Sequence, residues 1–174
     1  GKNIFNTFAP ESILDLGCGV GSYLEGALLA GCKNVLGIEL NFDIAKPHFT
    51  EDISPFLIQG DMTKELNLPH KFDIVTSFEA AEHIDPDGTD SFIDNLMHYS
   101  NNYIILTAAP PGQRGTGHIN LREKKFWIKE IESRGAKFNS RLTLKAMSQW
   151  KNLGAEWYIL RNLMVFDKKE KVIV

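Results

Sequence analysis

Three features of this sequence predict a doubly wound α/β sheet folded as one domain. Apolar runs of strand length alternate with longer amphipathic stretches. The first, second, fourth and fifth runs are near-continuous β-branched and aliphatic segments, as strands covered by helices on both faces are. The 174 residues suit a single hydrophobic core, so residues 1–174 are read as one domain.

The elements follow in order. The first strand, 12–16, is the buried run Ile13-Leu14-Asp15-Leu16, and it enters a glycine-rich turn followed by a helix over 22–30. The second, 34–39, contains Val35-Leu36-Gly37-Ile38-Glu39 and precedes a helix over 42–48. A third strand is expected over 55–59. The fourth, 72–77, is Phe72-Asp73-Ile74-Val75-Thr76-Ser77 and leads through an acidic stretch to a helix over 88–98. The fifth, 103–107, ends near 112–117, the longest flexible stretch and an expected active-site loop. Helices over 122–133 and 140–151 flank a short strand near 136–139. The last strand, 157–166, follows a helix-rich stretch rather than a crossover unit, so it is expected to close the sheet antiparallel. Seven strands result.

Composition narrows the function classes. Hydrophobic residues at 43% and charged residues at 24% fit a folded globular chain and exclude a disordered one. No apolar run approaches the roughly 18–20 residues of a membrane span, so a cytoplasmic protein without a membrane partner is expected. Net charge is −3, whereas a sequence-independent nucleic-acid binder carries a basic face. The basic clusters Lys124-Lys125 with Lys129, and Lys168-Lys169 with Lys171, read as the solvated faces of a helix and a tail. Cys18 and Cys32 lack zinc-site spacing. His48, His70 and His98 have no partners at telling spacings and read as surface residues.

The chemistry begins at Gly17-Cys18-Gly19-Val20-Gly21. Glycines let the chain turn tightly and approach a ligand, and the following helix offers free N–H groups. Glu39 ends the second strand, where a carboxylate can accept both hydroxyls of a ribose. A nicotinamide cofactor would place a diphosphate on the helix N-terminus, but Ser22 stands where the third glycine of that pattern belongs. S-adenosylmethionine (SAM) carries an ammonium instead, and Asp15 precedes the first glycine as its partner. SAM is therefore the expected cofactor.

Residues 13–21 resemble the first motif of class I SAM-dependent methyltransferases, and Val35–Glu39 the second. Gly60-Asp61-Met62 resembles the third, and the fourth strand is similar to the one whose end faces the methyl donor. The resemblance implies a Rossmann-like seven-stranded sheet. It also implies a cofactor set of Asp15, Gly17, Cys18, Gly19, Gly21, Glu39, Leu40, Asp61, Met62 and Phe78, in which Asp61 meets the adenine amino group and Met62 packs the ring.

On the acceptor side, base N-methyltransferases carry an Asn/Asp-Pro-Pro-aromatic motif after the fourth strand, and Ser77-Phe78-Glu79-Ala80 lacks it. Instead Glu79-Ala80-Ala81-Glu82-His83 gathers two acids and an imidazole, which one helical turn would converge. His118 follows the glycine-rich loop. Glu79, Glu82, His83 and His118 make a ligand set for Mg²⁺ or Mn²⁺ with open positions for an acceptor diol. The pattern resembles small-RNA 3′-terminal 2′-O-methyltransferases, and related segments occur in ubiquinone-pathway O-methyltransferases. Catalysis is assigned to His118, Glu82 and His83, with His118 as general base if no metal binds. Thr107–Gln113, the following Gly117-His118 and the late strand expected over 158–166 are similar to methyltransferases found beside sugar-handling enzymes. The expected acceptor is therefore a sugar, glycan or other small-molecule hydroxyl. RNA 2′-O-methylation and a non-catalytic SAM-binding subunit are the alternatives. About ten residues precede the first strand, too few for a full cap, so a lid is expected from a partner chain or a further N-terminal segment, or the site is open.

Overall fold

The structure, a computed structural model, describes residues 1–168; of the second basic cluster, Lys169 and Lys171 lie outside the described residues. Seven strands form one sheet: β1 (Ser12–Leu16), β2 (Asn34–Glu39), β3 (Leu57–Gln59), β4 (Phe72–Phe78), β5 (Ser100–Thr107), β6 (Lys137–Phe138) and β7 (Met164–Asp167). Their order is β3-β2-β1-β4-β5-β7-β6. The first five pair in parallel, while β7 runs antiparallel to both β5 and β6. The order reverses between β1 and β4, and at such a switch point the carboxyl ends of the strands open a crevice.

Among the described residues seven α-helices accompany the sheet: α1 (Lys2–Phe8), α2 (Ser22–Leu29), α3 (Phe42–Ala45), α4 (Thr89–Tyr99), α5 (Lys124–Ser133), α6 (Ser140–Asn152) and α7 (Trp157–Asn162). Strand alternation divides the apolar residues between two cores. Leu14, Leu16, Val75 and Ile104 face one way, onto Phe92 of α4 and Trp127 of α5. Ile13, Ile74 and Ile105 face the other, onto Leu24 of α2, Trp150 of α6 and Ile159 of α7. Among the described residues no helix is long and apolar enough to cross a membrane.

Most strand expectations hold, with differences that have physical causes. β3 is shorter than expected because Ser54–Phe56 forms a 3₁₀ turn with Pro55 in its first positions. The helix expected over 42–48 divides into α3 and a 3₁₀ turn at Lys46–His48. The strand expected over 157–166 is corrected: Trp157–Asn162 is the helix α7, and only Met164–Asp167 is strand. Its β-favouring aromatic and aliphatic residues bury Ile159 and Asn162, three apart, as one helical stripe. Helix α1, not expected from the sequence, buries Ile4 beside α2.

Gly37 in β2 bears on the site above it. A Cβ there would lie 2.5 Å from Leu57 Cδ2 and 2.6 Å from Cys18 Sγ, so glycine lets the loop after β1 rest on β2. Gly37→Ala is expected to destabilise the fold by about 1–3 kcal/mol, read as a lower urea midpoint with an unchanged slope. A wild-type midpoint would mean that the loop yields without cost.

Candidate functional site

The crevice forms from the loops that follow β1 to β4. After β1 the backbone N–H groups of Gly17 and Cys18 both donate to the Ile38 carbonyl, at 2.9 and 3.1 Å. Gly17, Gly19 and Gly21 have φ of +75°, +55° and +78°, in the left-handed region that glycine adopts without strain. The Glu39 carboxylate accepts one N–H from Gly19 at 2.9 Å and another from Asn41 at 2.8 Å. Those bonds fix its direction at the end of β2. A cleft of about 510 Å³ lies here, lined by Gly17, Gly19, Glu39, Leu40, Asp61 and Met62 of the expected cofactor set. A Cβ on Gly17 would stand 2.6 Å from the Ala80 Cβ, so glycine keeps the cleft open toward the turn after β4.

The loop after β3 is equally constrained. Asp61 Oδ1 accepts the Thr63 N–H at 2.8 Å and the Thr63 hydroxyl at 2.6 Å. Asn95 of α4 donates through Nδ2 to the carbonyls of Met62 and Lys64. Asn41, Thr63 and Asp85 also line the cleft; their loop positions lie outside the motifs that name cofactor residues.

Four residues of the expected set lie behind or beside the cleft. Asp15 is buried beneath the loop and accepts the Thr76 hydroxyl at 2.7 Å. Burial pushes its pKa up to about 7, with the Thr76 hydrogen bond opposing that shift. Cys18 is buried against Gly37, and Gly21 caps α2 against Ile53 and Leu57. Phe78 is corrected. It shares the strand face of Ile74, packs 4.7 Å from the Tyr23 ring and 6.3 Å from that of Trp150, and lines a separate cavity of about 220 Å³.

The expected acceptor side, Glu79 to His83, is a tight turn rather than a helical turn. Glu79 has φ +48°, rare for a residue with a side chain, and the His83 N–H donates to the Ala80 carbonyl. Glu82 is fully buried, and neither carboxylate oxygen has a hydrogen-bond partner among the described residues. Burial pushes its pKa up to about 7. The ligand-type atoms of Glu82, His83 and His118 lie within 4.8 Å of one another. His83 Nδ1 is 3.1 Å from the Gly117 carbonyl and His118 Nδ1 is 3.2 Å from that of Gln113. Donation from each Nδ1–H leaves Nε2 as the available lone pair, as in metal-binding imidazoles. A Cβ at Gly115 would fall 2.1 Å from His118 Nε2, so glycine keeps that nitrogen approachable. An orphaned buried carboxylate beside two such imidazoles fits a divalent cation.

Glu79 does not join this trio. Gln113 Nε2 donates to one of its oxygens at 2.8 Å, and Asn162 Nδ2 to the other at 2.9 Å. Its expected place as a metal ligand is corrected accordingly, because two amides from the 112–117 loop and α7 already satisfy it. Glu79 and His83 line both the large cleft and a second one of about 280 Å³, which Arg114, Trp157 and Tyr158 border. The two aromatic residues escaped the sequence reading because their segment reads as strand.

Comparison with known proteins accords with this geometry. Residues 14–97 match the family described as a methyltransferase domain. The small RNA 2′-O-methyltransferase of Xenopus tropicalis is 23% identical over 159 residues, covering 75% of this chain and 43% of that protein. The chain thus spans less than half the length of that relative. Among solved structures, the amino pentose methyltransferase CalS10 of Micromonospora echinaspora, solved with SAM bound, superposes with a TM-score of 0.70 at 16% identity, over 95% of this chain and 87% of that one. The sugar N-methyltransferase KedS8 of a Streptoalloteichus species gives 0.67 at 14% identity, over 96% and 84%. The magnesium protoporphyrin IX methyltransferase ChlM of Synechocystis gives 0.61 at 18%, over 89% and 72%. At these identities the likeness is one of fold.

Asp15 yields a test with a definite sign. Its folded pKa of about 7 exceeds the ordinary 3.8, so the folded state holds the proton more tightly than the unfolded chain. Stability therefore declines as pH rises through that window, and the cost is complete above about pH 7. Asp15→Asn keeps an oxygen for Thr76 and is expected to stabilise the protein at about pH 8, by up to ~4 kcal/mol, and hardly at all near pH 4. Equal denaturant midpoints for variant and wild type at both pH values would refute a carboxylate whose burial outweighs its Thr76 hydrogen bond.

Proposed function

Starting from a chain with the class I SAM-dependent methyltransferase fold and a methyltransferase-domain match, we propose that it methylates a hydroxyl of a sugar, glycan or other small molecule. In this reading a divalent cation assists the transfer. The observation that carries it is the buried, unpartnered Glu82 carboxylate beside His83 and His118, where two clefts meet.

Each residue then has a role. Asp15 and the glycine loop hold the amino-acid end of SAM, with Asp15 charged opposite the ammonium. Glu39 accepts the ribose hydroxyls, while Asp61 and Met62 hold the adenine. Transfer breaks the sulfonium S–CH₃ bond, forms an O–CH₃ bond, releases the hydroxyl proton and leaves a neutral thioether. Glu82, His83 and His118 would hold Mg²⁺ or Mn²⁺, which when bound supplies positive charge that lowers the pKa of a nearby hydroxyl. Both imidazoles are oriented through Nδ1 before any ligand arrives, so the chain meets the cation preorganised. Positioning supplies most of the remaining rate, since a direct displacement needs no covalent enzyme intermediate.

One finding favours a second reading. The Xenopus relative is a small RNA 2′-O-methyltransferase, and a ribose offers the same vicinal oxygens as a sugar. Against RNA stands the charge of the second cleft, where Glu79 and Glu82 outnumber Arg114. A backbone-tracking site would show clustered cations there.

With a hydroxyl acceptor in hand, chelation or His118→Ala should lower turnover by about two orders of magnitude or more. Calorimetric SAM affinity should stay within about two-fold. Restoration by Mn²⁺ should follow in the chelated wild type and fail in the variant. If chelators leave turnover untouched while His118→Ala abolishes it, His118 acts as general base and the cation reading fails. Full turnover in Glu82→Ala would remove the carboxylate from the chemistry. Steep loss of binding with salt would shift the acceptor toward RNA.

A further inference from the structure

The second cleft has two ends, and only one carries the cation trio. At the other stands Trp157, with 63% of its surface exposed in the described chain. Trp127 and Trp150 are buried at 0% and 3%, so the chain readily hides indoles where it has a core to hide them in. An exposed indole alone means little, since apolar atoms make up much of any surface. This one borders a concave site beside Tyr158, whose ring stands nearly perpendicular to it at 5.9 Å. The Tyr158 edge thus buttresses the indole.

The helix that carries these rings is tied to the reacting centre. In α7, Ile159 is buried in the core, and Asn162 is 4% exposed. Asn162 Nδ2 donates to Glu79 at 2.9 Å and to Gln113 Oε1 at 3.1 Å. Glu79 in turn borders the cofactor cleft. The distance from the indole to the larger cleft is therefore set by a short chain of the buried Asn162 amide, the half-buried Gln113 amide and the half-buried Glu79 carboxylate. A ring held this way can fix where an acceptor lies.

We infer that Trp157 is the specificity-determining platform of the acceptor site, stacking the apolar face of a single saccharide ring whose vicinal hydroxyls point toward Glu82, His83 and His118, with Asn162 as the residue that positions it. This rests on the hydroxyl-methyltransferase reading above and deepens it. A cleft of about 280 Å³ admits one ring unit rather than a length of polymer. Its lining offers aromatic faces and hydrogen-bonding groups but only one cation, Arg114. That suits a neutral polyhydroxylated ring, which has an apolar C–H face and polar edges.

The exposure pattern supplies the experiment. Because the other two indoles are buried, iodide-quenchable fluorescence should come from Trp157 and vanish in Trp157→Phe. The intact chain is loaded with S-adenosylhomocysteine and Mn²⁺, whose binding is confirmed by calorimetry, and titrated with a panel of methyl pyranosides, with adenosine and a short RNA alongside. At least one pyranoside should roughly halve the iodide quenching. For that sugar, Trp157→Ala should lower kcat/KM by about ten-fold, mainly through KM. Asn162→Ala should instead lower kcat while leaving the quenching protection in place. If no pyranoside protects although S-adenosylhomocysteine and the cation bind, the platform is refuted while the cofactor reading stands. Protection by adenosine or RNA alone refutes it in favour of a nucleic-acid acceptor. Failure to bind the product at all brings down the underlying reading, and the platform with it.

Discussion

One carbonyl organises the site. The Ile38 oxygen accepts both the Gly17 and Cys18 N–H groups, and this shared bond turns the chain sharply at the end of β1. The turn is possible because Gly17 tolerates a positive φ and because Gly37 leaves space beneath Cys18. From it the rest follows: Gly19 reaches the Glu39 carboxylate, Gly21 starts α2, and the cleft floor lies open between the loops after β1 and β4. Burial of Asp15 is the cost of the same arrangement, since the loop that covers it excludes water from its carboxylate.

The opposite wall follows a different logic. An isolated buried carboxylate is expensive unless a cation or hydrogen bonds compensate it. Asp15 has Thr76, whereas Glu82 has no such partner among the described residues. The backbone of Glu82 is nonetheless well held, its carbonyl accepting the N–H groups of Ile119 and Asn120 at 2.9 Å each. Those bonds bring His118 to His83, with ring centroids 4.9 Å apart. A locally unfavourable side chain on a firmly anchored backbone is the kind of inconsistency expected at functional sites.

The cleft formed by the loops after β1 to β3 was legible in the sequence because its signals are local. Strand, glycines and helix start are contiguous from Ser12 to Leu29, and Glu39 and Asp61 each end a strand or follow one directly. Parity along β4 would also have shown that Phe78 shares a face with Ile74 rather than opening on the cleft. The cluster after β4 was legible only in part. Glu82, His83 and His118 converge as their types suggested, but the fate of Glu79 depends on Gln113 and Asn162, which are 34 and 83 residues away. No local pattern announces those amides. Helix α7 was hidden for a related reason: its residues favour strand, and the core that accepts Ile159 decides otherwise.

Glu79 borders both clefts, as His83 does. Of these two shared residues, Glu79 has a positive φ and is held by two amides on otherwise unrelated segments. The two clefts then share a wall, and a ligand in either one bears on it. Where ligands in both clefts discriminate between settings of Glu79, each alters the other's affinity, and by the same factor in both directions.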